Sequence, residues 1–274
     1  EPTTSPSAAE SIYSAAIASW LIKKNPSIAV ALKKFTEDPS DSTLVSMLER
    51  NADLKTLLIQ ATPWMVDAMT DTERMQRLAI LFDRNETDKV IRTATEVLAK
   101  SVCSDGGLAW SQAMKRSFEQ SSQWATLRVL MLLGELNYQG ALPSNAKLEK
   151  VISGALKYMD KSVAADFAKY PNGDYIEYTY MRQLFPGIKQ STAAAKVSAA
   201  TIQRIINDWT GFSQPLKAIG AIVLENAGYH TSALNLIESL RQYGIYNPRQ
   251  GMTWQTIQSN YGSVYSTAQI LDAF

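Results

Sequence analysis

Few side chains in this sequence can carry out chemistry, and none of them falls in a recognisable catalytic spacing. The chain has one cysteine, Cys103, and one histidine, His230. A zinc site normally uses about three or four protein ligands, which these two distant residues do not supply. We therefore interpret Cys103 as a small buried apolar residue and His230 as a turn or helix-capping residue. We expect no cofactor, no metal and no catalytic residue.

Acidic residues are the remaining candidates for catalysis. Glycoside hydrolysis needs two carboxylates about 5 to 10 Å apart, in a cleft that binds the sugar. The acids available are Asp105, Asp174, Glu177 and Asp208, and the aromatic residues near them in sequence are Tyr170, Tyr175, Tyr178, Tyr180 and Trp209. No spacing pairs two of these acids. A glycoside-processing enzyme is therefore an alternative interpretation and not the leading one.

The charge and hydrophobicity of the chain exclude two other classes. Lys and Arg number 27 against 26 Asp and Glu, so the net charge is +1. Nucleic-acid-binding proteins usually carry an excess of basic residues, which this chain lacks. A helix that spans a bilayer needs about 20 consecutive apolar residues. The apolar runs here, such as Val129 to Leu133, are no longer than five residues. We expect no nucleic-acid partner and no membrane contact by this chain.

Apolar residues recur with the helical period of 3.6 residues along most of the chain. Thr70 and Glu73 have the spacing of a capping box, which marks a helix start. No segment alternates apolar and polar residues over the length of a strand. The pattern predicts an all-α fold with little or no sheet. The clearest periodic sets are Val90, Ile91, Ala94, Val97 and Leu98, the set Leu148, Val151, Ile152, Ala155 and Met159, and residues 75–82.

Glycine and proline divide this pattern into short helical hairpins. Residues 215–227 and 231–243 are predicted helices, with Gly228 and Gly244 closing them in the left-handed conformation. About a dozen helices without a fixed repeat predict an α/α toroid of stacked hairpins. We expect one domain over residues 1–274, with 1–70 as a candidate N-terminal subdomain. Because the chain stops inside an apolar pattern, we expect a piece of a longer protein that lacks a closing helix.

Two segments place glycine shortly before tryptophan. Asp105, Gly106 and Gly107 precede Trp110, and Gly251 precedes Trp254. Glycine permits positive φ and close backbone approach, so each indole can fold back between helix ends and bury about 200 Å². We interpret both segments as structural Gly-Trp loops with core tryptophans.

Several motifs occur together in one order: LKTLLIQATPW at 54–64, residues 73–83, the Asp-Gly-Gly-x-x-Trp loop at Asp105, ALKYMDK at 155–161, GMTW at 251–254 and residues 267–274. This ordered set resembles bacterial alpha-2-macroglobulin-like proteins of the Bacteroidetes type. The matched region is their thioester domain. The resemblance implies an α/α toroid similar to the complement thioester domain and to terpenoid cyclases.

In that family the thioester joins the Cys and Gln of a Cys-x-Glu-Gln motif that precedes the first helix. The region equivalent to that motif here contains Thr4, Ser5, Pro6 and Ser7, and no cysteine occurs before Cys103. Cys103 is not followed by x-Glu-Gln. The resemblance therefore implies a thioester domain from which the thioester has been lost.

The resemblance also implies a setting and partners. Family members are large periplasmic or cell-surface proteins, often lipid-anchored, and are thought to trap proteases. It implies a non-catalytic domain that packs on neighbouring β-sandwich domains of its parent or contributes to steric trapping of target proteases, with any lipid anchor outside this chain. A helical scaffold that binds proteins through a concave surface is a further alternative.

Overall fold

A computed structural model describes residues 2–27, 30, 83–248, 251–254 and 270–274. These residues form nine α-helices, one short 3₁₀ turn and one small two-stranded sheet, so the prediction of an all-α fold is confirmed. The capping box at Thr70, the periodic residues 75–82, the motifs at 54–64 and 73–83 and most of the candidate subdomain lie outside the described residues. Within the described ranges, no helix combines the length and apolarity needed to cross a membrane.

The helices are α1 (Ser5–Lys24), α2 (Arg84–Ser101), α3 (Gln112–Phe118), α4 (Gln123–Tyr138), α5 (Ala146–Lys169), α6 (Ile176–Gln183), α7 (Thr192–Asp208), α8 (Gln214–Asn226) and α9 (His230–Tyr243). The strands β1 (Ile245–Asn247) and β2 (Gly251–Thr253) are antiparallel, with Ile245 opposite Thr253.

Side-chain caps fix where most of these helices begin. An N-cap oxygen accepts hydrogen bonds from backbone N–H groups that have no partner in the first turn. Pro215 lies in the first turn of α8, where the N–H that proline lacks would have no partner within the helix. The local sequence therefore sets where most of these helices begin. The residues that cap in this way are Thr4, Asp83, Ser111, Ser122, Asn145 and Ser191.

The longer helices pack as stacked αα-hairpins in two layers. Helices α1, α4, α6 and α8 lie side by side in one layer, and α2, α5 and α7 pack against them in the second. Helix α9 returns along α8. The N-termini of α4, α6 and α8 meet at one end of their layer, because Trp124, Tyr175 and Leu216 line the same cleft. The N-terminus of α1 reaches the same end, as shown below.

The core lies between the two layers. Helix α4 is at its centre, and the whole run Val129 to Leu133 is buried. All five periodic residues predicted on α5 are buried, from Leu148 to Met159. A second cluster joins α6, α7, α8 and α9, around Ile205, Val223 and Leu236.

The two predicted helix-closing glycines behave differently. Gly228 has φ +82° and separates α8 from α9, so the predicted hairpin is confirmed with its ends shifted by about one residue. Gly244 has φ −70°, so its predicted left-handed conformation is wrong. After α9 the chain extends directly into β1. A Cβ at Gly244 would lie 2.9 Å from the Met252 sulfur, so glycine serves close packing on β2 instead.

Candidate functional site

The segment equivalent to the missing thioester motif forms the N-terminal cap of α1. The Ser7 N–H donates to Thr4 Oγ1 at 3.2 Å, and the Thr4 N–H donates to Ser7 Oγ at 3.1 Å. This reciprocal pair is a capping box. Pro6 is buried in the first helical turn, where its missing N–H costs nothing. These residues are occupied in starting a helix.

Ser5 ties that cap to the first Gly-Trp loop. Its hydroxyl is buried and donates to the Ala109 carbonyl at 2.7 Å. Its N–H donates to the Trp110 carbonyl at 2.8 Å. Two regions about a hundred residues apart in sequence are therefore joined at one end of the helical layers.

The first Gly-Trp loop is held by its own polar groups. Asp105 Oδ1 accepts from the Gly107 N–H at 3.0 Å and from Ser121 Oγ at 2.5 Å. Gly106 has φ +90°, and a Cβ there would lie 2.9 Å from the Gly154 carbonyl oxygen on α5. This position requires glycine for both conformation and space.

The two predicted core tryptophans have different environments. Trp254 is 1% exposed and donates from Nε1 to the Leu240 carbonyl at 2.7 Å, so its predicted burial is confirmed. Gly251, which precedes it, has φ +78° and begins β2. Trp110 is 39% exposed, so its prediction as a core residue is wrong. Its indole packs on Trp124 with 5.4 Å between ring centroids, at the surface and not between helix ends.

Cys103 and His230 lie in separate local environments. Cys103 is 4% exposed, as expected of a small buried residue. His230 is the first residue of α9, and its Nδ1 lies 2.8 Å from Glu225 Oε1. In the part of the chain that the structure describes, no three His, Cys, Asp or Glu side chains are grouped to hold a metal ion.

A cavity lies at the same end as the α1 cap. It is a cleft of about 740 Å³ between the start of α4, the C-terminal half of α5 and the start of α6, and we call it the α4–α6 cleft. Trp124, which packs on Trp110, forms part of the wall of this cleft. The other lining residues are Gln123, Leu127, Met159, Val163, Asp166, Tyr170, Gly173, Asp174, Tyr175, Glu177, Tyr178 and Leu216.

Three carboxylates line this cleft, and two of them bond to the protein itself. Asp166 accepts from Gln123 Nε2 at 2.7 Å, and Asp174 accepts from the Ile176 N–H at 3.1 Å. Partial desolvation raises the pKa of Glu177, and the nearby charge of Asp174 raises it further. The Arg128 guanidinium acts in the opposite direction. The cleft therefore carries a concentration of negative charge.

The structure brings together part of the acidic and aromatic set suggested by sequence. Asp174, Glu177, Tyr170, Tyr175 and Tyr178 all line the α4–α6 cleft. Asp208 lines a second cavity on the other side of the loop at 171–173, and Asp105 is engaged in its own loop. Trp209 stacks on Lys217, and Tyr180 packs on apolar side chains elsewhere.

Sequence reasoning missed Trp124 and Asp166. They lie on α4 and α5 and approach the start of α6 only through helix packing. The available signal was an aromatic residue directly after Ser122 and Gln123, at the start of a helix that continues into the apolar run Val129 to Leu133.

Comparisons with protein-family models, curated proteins and solved structures find no match to this chain.

Proposed function

We propose that this chain is the thioester-type domain of an alpha-2-macroglobulin-like protein, that it has lost the thioester, and that it acts through surface contacts and not through catalysis. The observation that carries the proposal is the state of Thr4, Ser5 and Ser7. Each of these hydroxyls takes part in hydrogen bonds that start α1 or fix it to the first Gly-Trp loop. These residues therefore have a structural role at the position where the family has a reactive cysteine.

An exposed apolar surface beside this segment supports a role in packing. Trp110, Met114 and Phe118 are 39%, 48% and 72% exposed. These three residues lie on or next to α3, which has no buried residue. Contiguous exposed apolar surface marks interaction sites. We propose that neighbouring β-sandwich domains of the parent cover it and that the parent, in the periplasm or at the cell surface, traps target proteases sterically.

The stacked hairpins support the proposed α/α toroid. A ring of this type needs an inner and an outer helix in each hairpin, as the pairs α1 with α2, α4 with α5 and α6 with α7 provide. Closure of the ring is part of the proposal.

Methylamine cleavage tests the loss of the thioester. In the full-length parent, we expect methylamine to release no thiol and to add no mass to this domain. The denatured domain should contain one thiol per chain before and after treatment, from Cys103, and a Cys103→Ala variant should contain none. Release of a thiol by methylamine, or incorporation of methylamine into residues 4–8, would refute the proposal.

The α4–α6 cleft favours one second candidate function. Asp174 and Glu177 both line this cleft together with aromatic residues, and glycoside processing uses two carboxylates in a sugar-binding cleft. Its test is turnover of a panel of oligosaccharides by this chain and by a Glu177→Gln variant. Turnover that the variant loses would replace the non-catalytic proposal.

A further inference from the structure

We propose that the α4–α6 cleft binds a lysine or arginine side chain of a partner polypeptide. This inference deepens the proposed function, because it gives the chemistry of a partner for a domain that acts by binding. The inference depends on the proposed function only in assuming that the domain acts by binding. Peptide binding and methylamine cleavage are separate measurements, so the failure of one can be told from the failure of the other.

The charge of the cleft favours a cationic ligand. Its lining includes Asp166, Asp174 and Glu177, and no lysine, arginine or histidine is among the described residues that line it. The nearest basic influence on Glu177 is Arg128, whose guanidinium also lies 3.9 Å from Glu10. Like charges held close together in a partly desolvated site repel one another, and a bound cation relieves that repulsion.

Glu177 is the carboxylate best placed to meet the ligand. Asp166 and Asp174 accept hydrogen bonds from Gln123 and from the Ile176 N–H. Within the described part of the chain, Glu177 accepts no hydrogen bond, although it is accessible at the surface of the cleft. Charge-assisted hydrogen bonds to an ammonium or guanidinium group are stronger than neutral ones.

The walls of the cleft suit the rest of a basic side chain. The indole of Trp124 and the phenol of Tyr170 are 57% and 67% exposed, so a ligand can reach them. Aromatic faces attract ammonium and guanidinium groups. Leu127, Met159 and Val163 supply apolar surface for the methylene stem of the same side chain.

A neutral sugar fits this chemistry less well. It could stack on Trp124 and donate hydroxyls to the carboxylates, but it would leave their charge uncompensated while displacing water from them. A cation offsets the same desolvation with an opposite charge. The observations therefore favour a basic peptide over a glycan for this cleft.

Titration calorimetry with three probes tests the proposal on the whole chain. The probes are a glycine–serine peptide with two lysines, the same peptide with glutamines in their place, and a neutral β-linked glucose hexamer. We expect only the lysine peptide to bind, and its affinity to fall as salt is added because screening weakens the attraction. Glu177→Gln should weaken binding about ten-fold or more, as expected from loss of a charge-assisted contact.

Two further variants make the result specific. Glu238→Gln, on the exposed surface of α9, removes an equal charge away from the cleft and should leave affinity unchanged. Trp124→Ala should weaken binding of the lysine peptide, and it provides an independent test if Glu177→Gln does not fold. Equal binding of the lysine and glutamine peptides, absence of binding at millimolar lysine peptide, or preferential binding of the glucose hexamer would each overturn the proposal.

Discussion

Replacing Trp254 by alanine should remove one of the largest single contributions to folding in this chain. The indole is 1% exposed and packs in a small core with Ala218, Leu240 and Ile270. Its Nε1–H also satisfies the Leu240 carbonyl at 2.7 Å. The substitution thus removes apolar contact and leaves a buried acceptor without its donor.

The magnitude follows from the buried area. A fully buried tryptophan covers up to about 250 Å², worth about 6 kcal/mol at 25 cal/mol/Å². That value is an upper bound, because the unfolded chain already buries part of the surface. Large aromatic-to-alanine changes in cores typically cost about 3 to 5 kcal/mol. Because Trp254→Ala also orphans the Leu240 carbonyl, we expect about 4 to 5 kcal/mol.

Trp110→Ala is the matched control, since both residues follow glycine in similar local sequence. Trp110 is 39% exposed, and its removal opens no enclosed cavity. We expect it to cost about 1 to 2 kcal/mol, mainly from lost contact with Trp124. Trp254→Phe keeps an aromatic ring but loses the N–H, and it should cost about 1 to 2 kcal/mol.

Urea unfolding followed by far-ultraviolet circular dichroism measures all three differences. A cost below about 2 kcal/mol for Trp254→Ala, well under the range for core aromatics, would show that its surroundings collapse around the cavity. Equal costs for Trp254→Ala and Trp110→Ala would contradict the assignment of one indole to the core and the other to the surface.

Three further changes test other parts of the structure. Gly106→Ala should cost about 2 kcal/mol or more, because it meets both a positive φ and the Gly154 carbonyl, whereas Gly187→Ala has open space and should change stability by less than about 0.5 kcal/mol. Asp160→Ala should cost about 3 to 5 kcal/mol in the same unfolding assay. This buried carboxylate accepts hydrogen bonds from the Tyr178 hydroxyl and the Ser191 N–H, and it pairs with Arg182 at 3.4 Å. A cost near zero would contradict its role in joining α5, α6 and α7. Burial lowers the pKa of Lys217, so its contribution to stability should rise as pH increases through the window from that lowered pKa to the usual value of about 10.4. Lys217→Met should remove this rise. An equal change in the free energy of unfolding of the two proteins between pH 8 and pH 10 would contradict the prediction.

The sequence predicted those features of the fold that depend on neighbouring residues in the chain. The 3.6-residue period identified α2 and α5, and Gly228 identified the turn between α8 and α9. Such signals are local, since a cap or a left-handed glycine acts within one turn of helix. Gly244 and Trp110 were predicted wrongly because their conformation and burial depend on β2 and on Trp124, which local sequence does not place.

The candidate site shows the same division. Asp174, Glu177 and three tyrosines are close in sequence, so the grouping of acids with aromatic residues could be recognised from the sequence. Trp124 and Asp166 enter the cleft from two other helices, and only packing of α4 and α5 brings them there. The joining of the α1 cap to the first Gly-Trp loop through Ser5 was equally beyond sequence reasoning, since it links residues 104 positions apart.

The carboxylates of the α4–α6 cleft differ in what they contribute. Asp174 accepts a hydrogen bond from the Ile176 N–H and so helps to fix the start of α6. Glu177 lies in the first turn of the same helix, where the helix dipole favours a negative charge. Partial desolvation and the Asp174 charge nevertheless raise the pKa of Glu177. An external cation would offset both effects, so selectivity for a basic ligand should depend more on Glu177 than on Asp174.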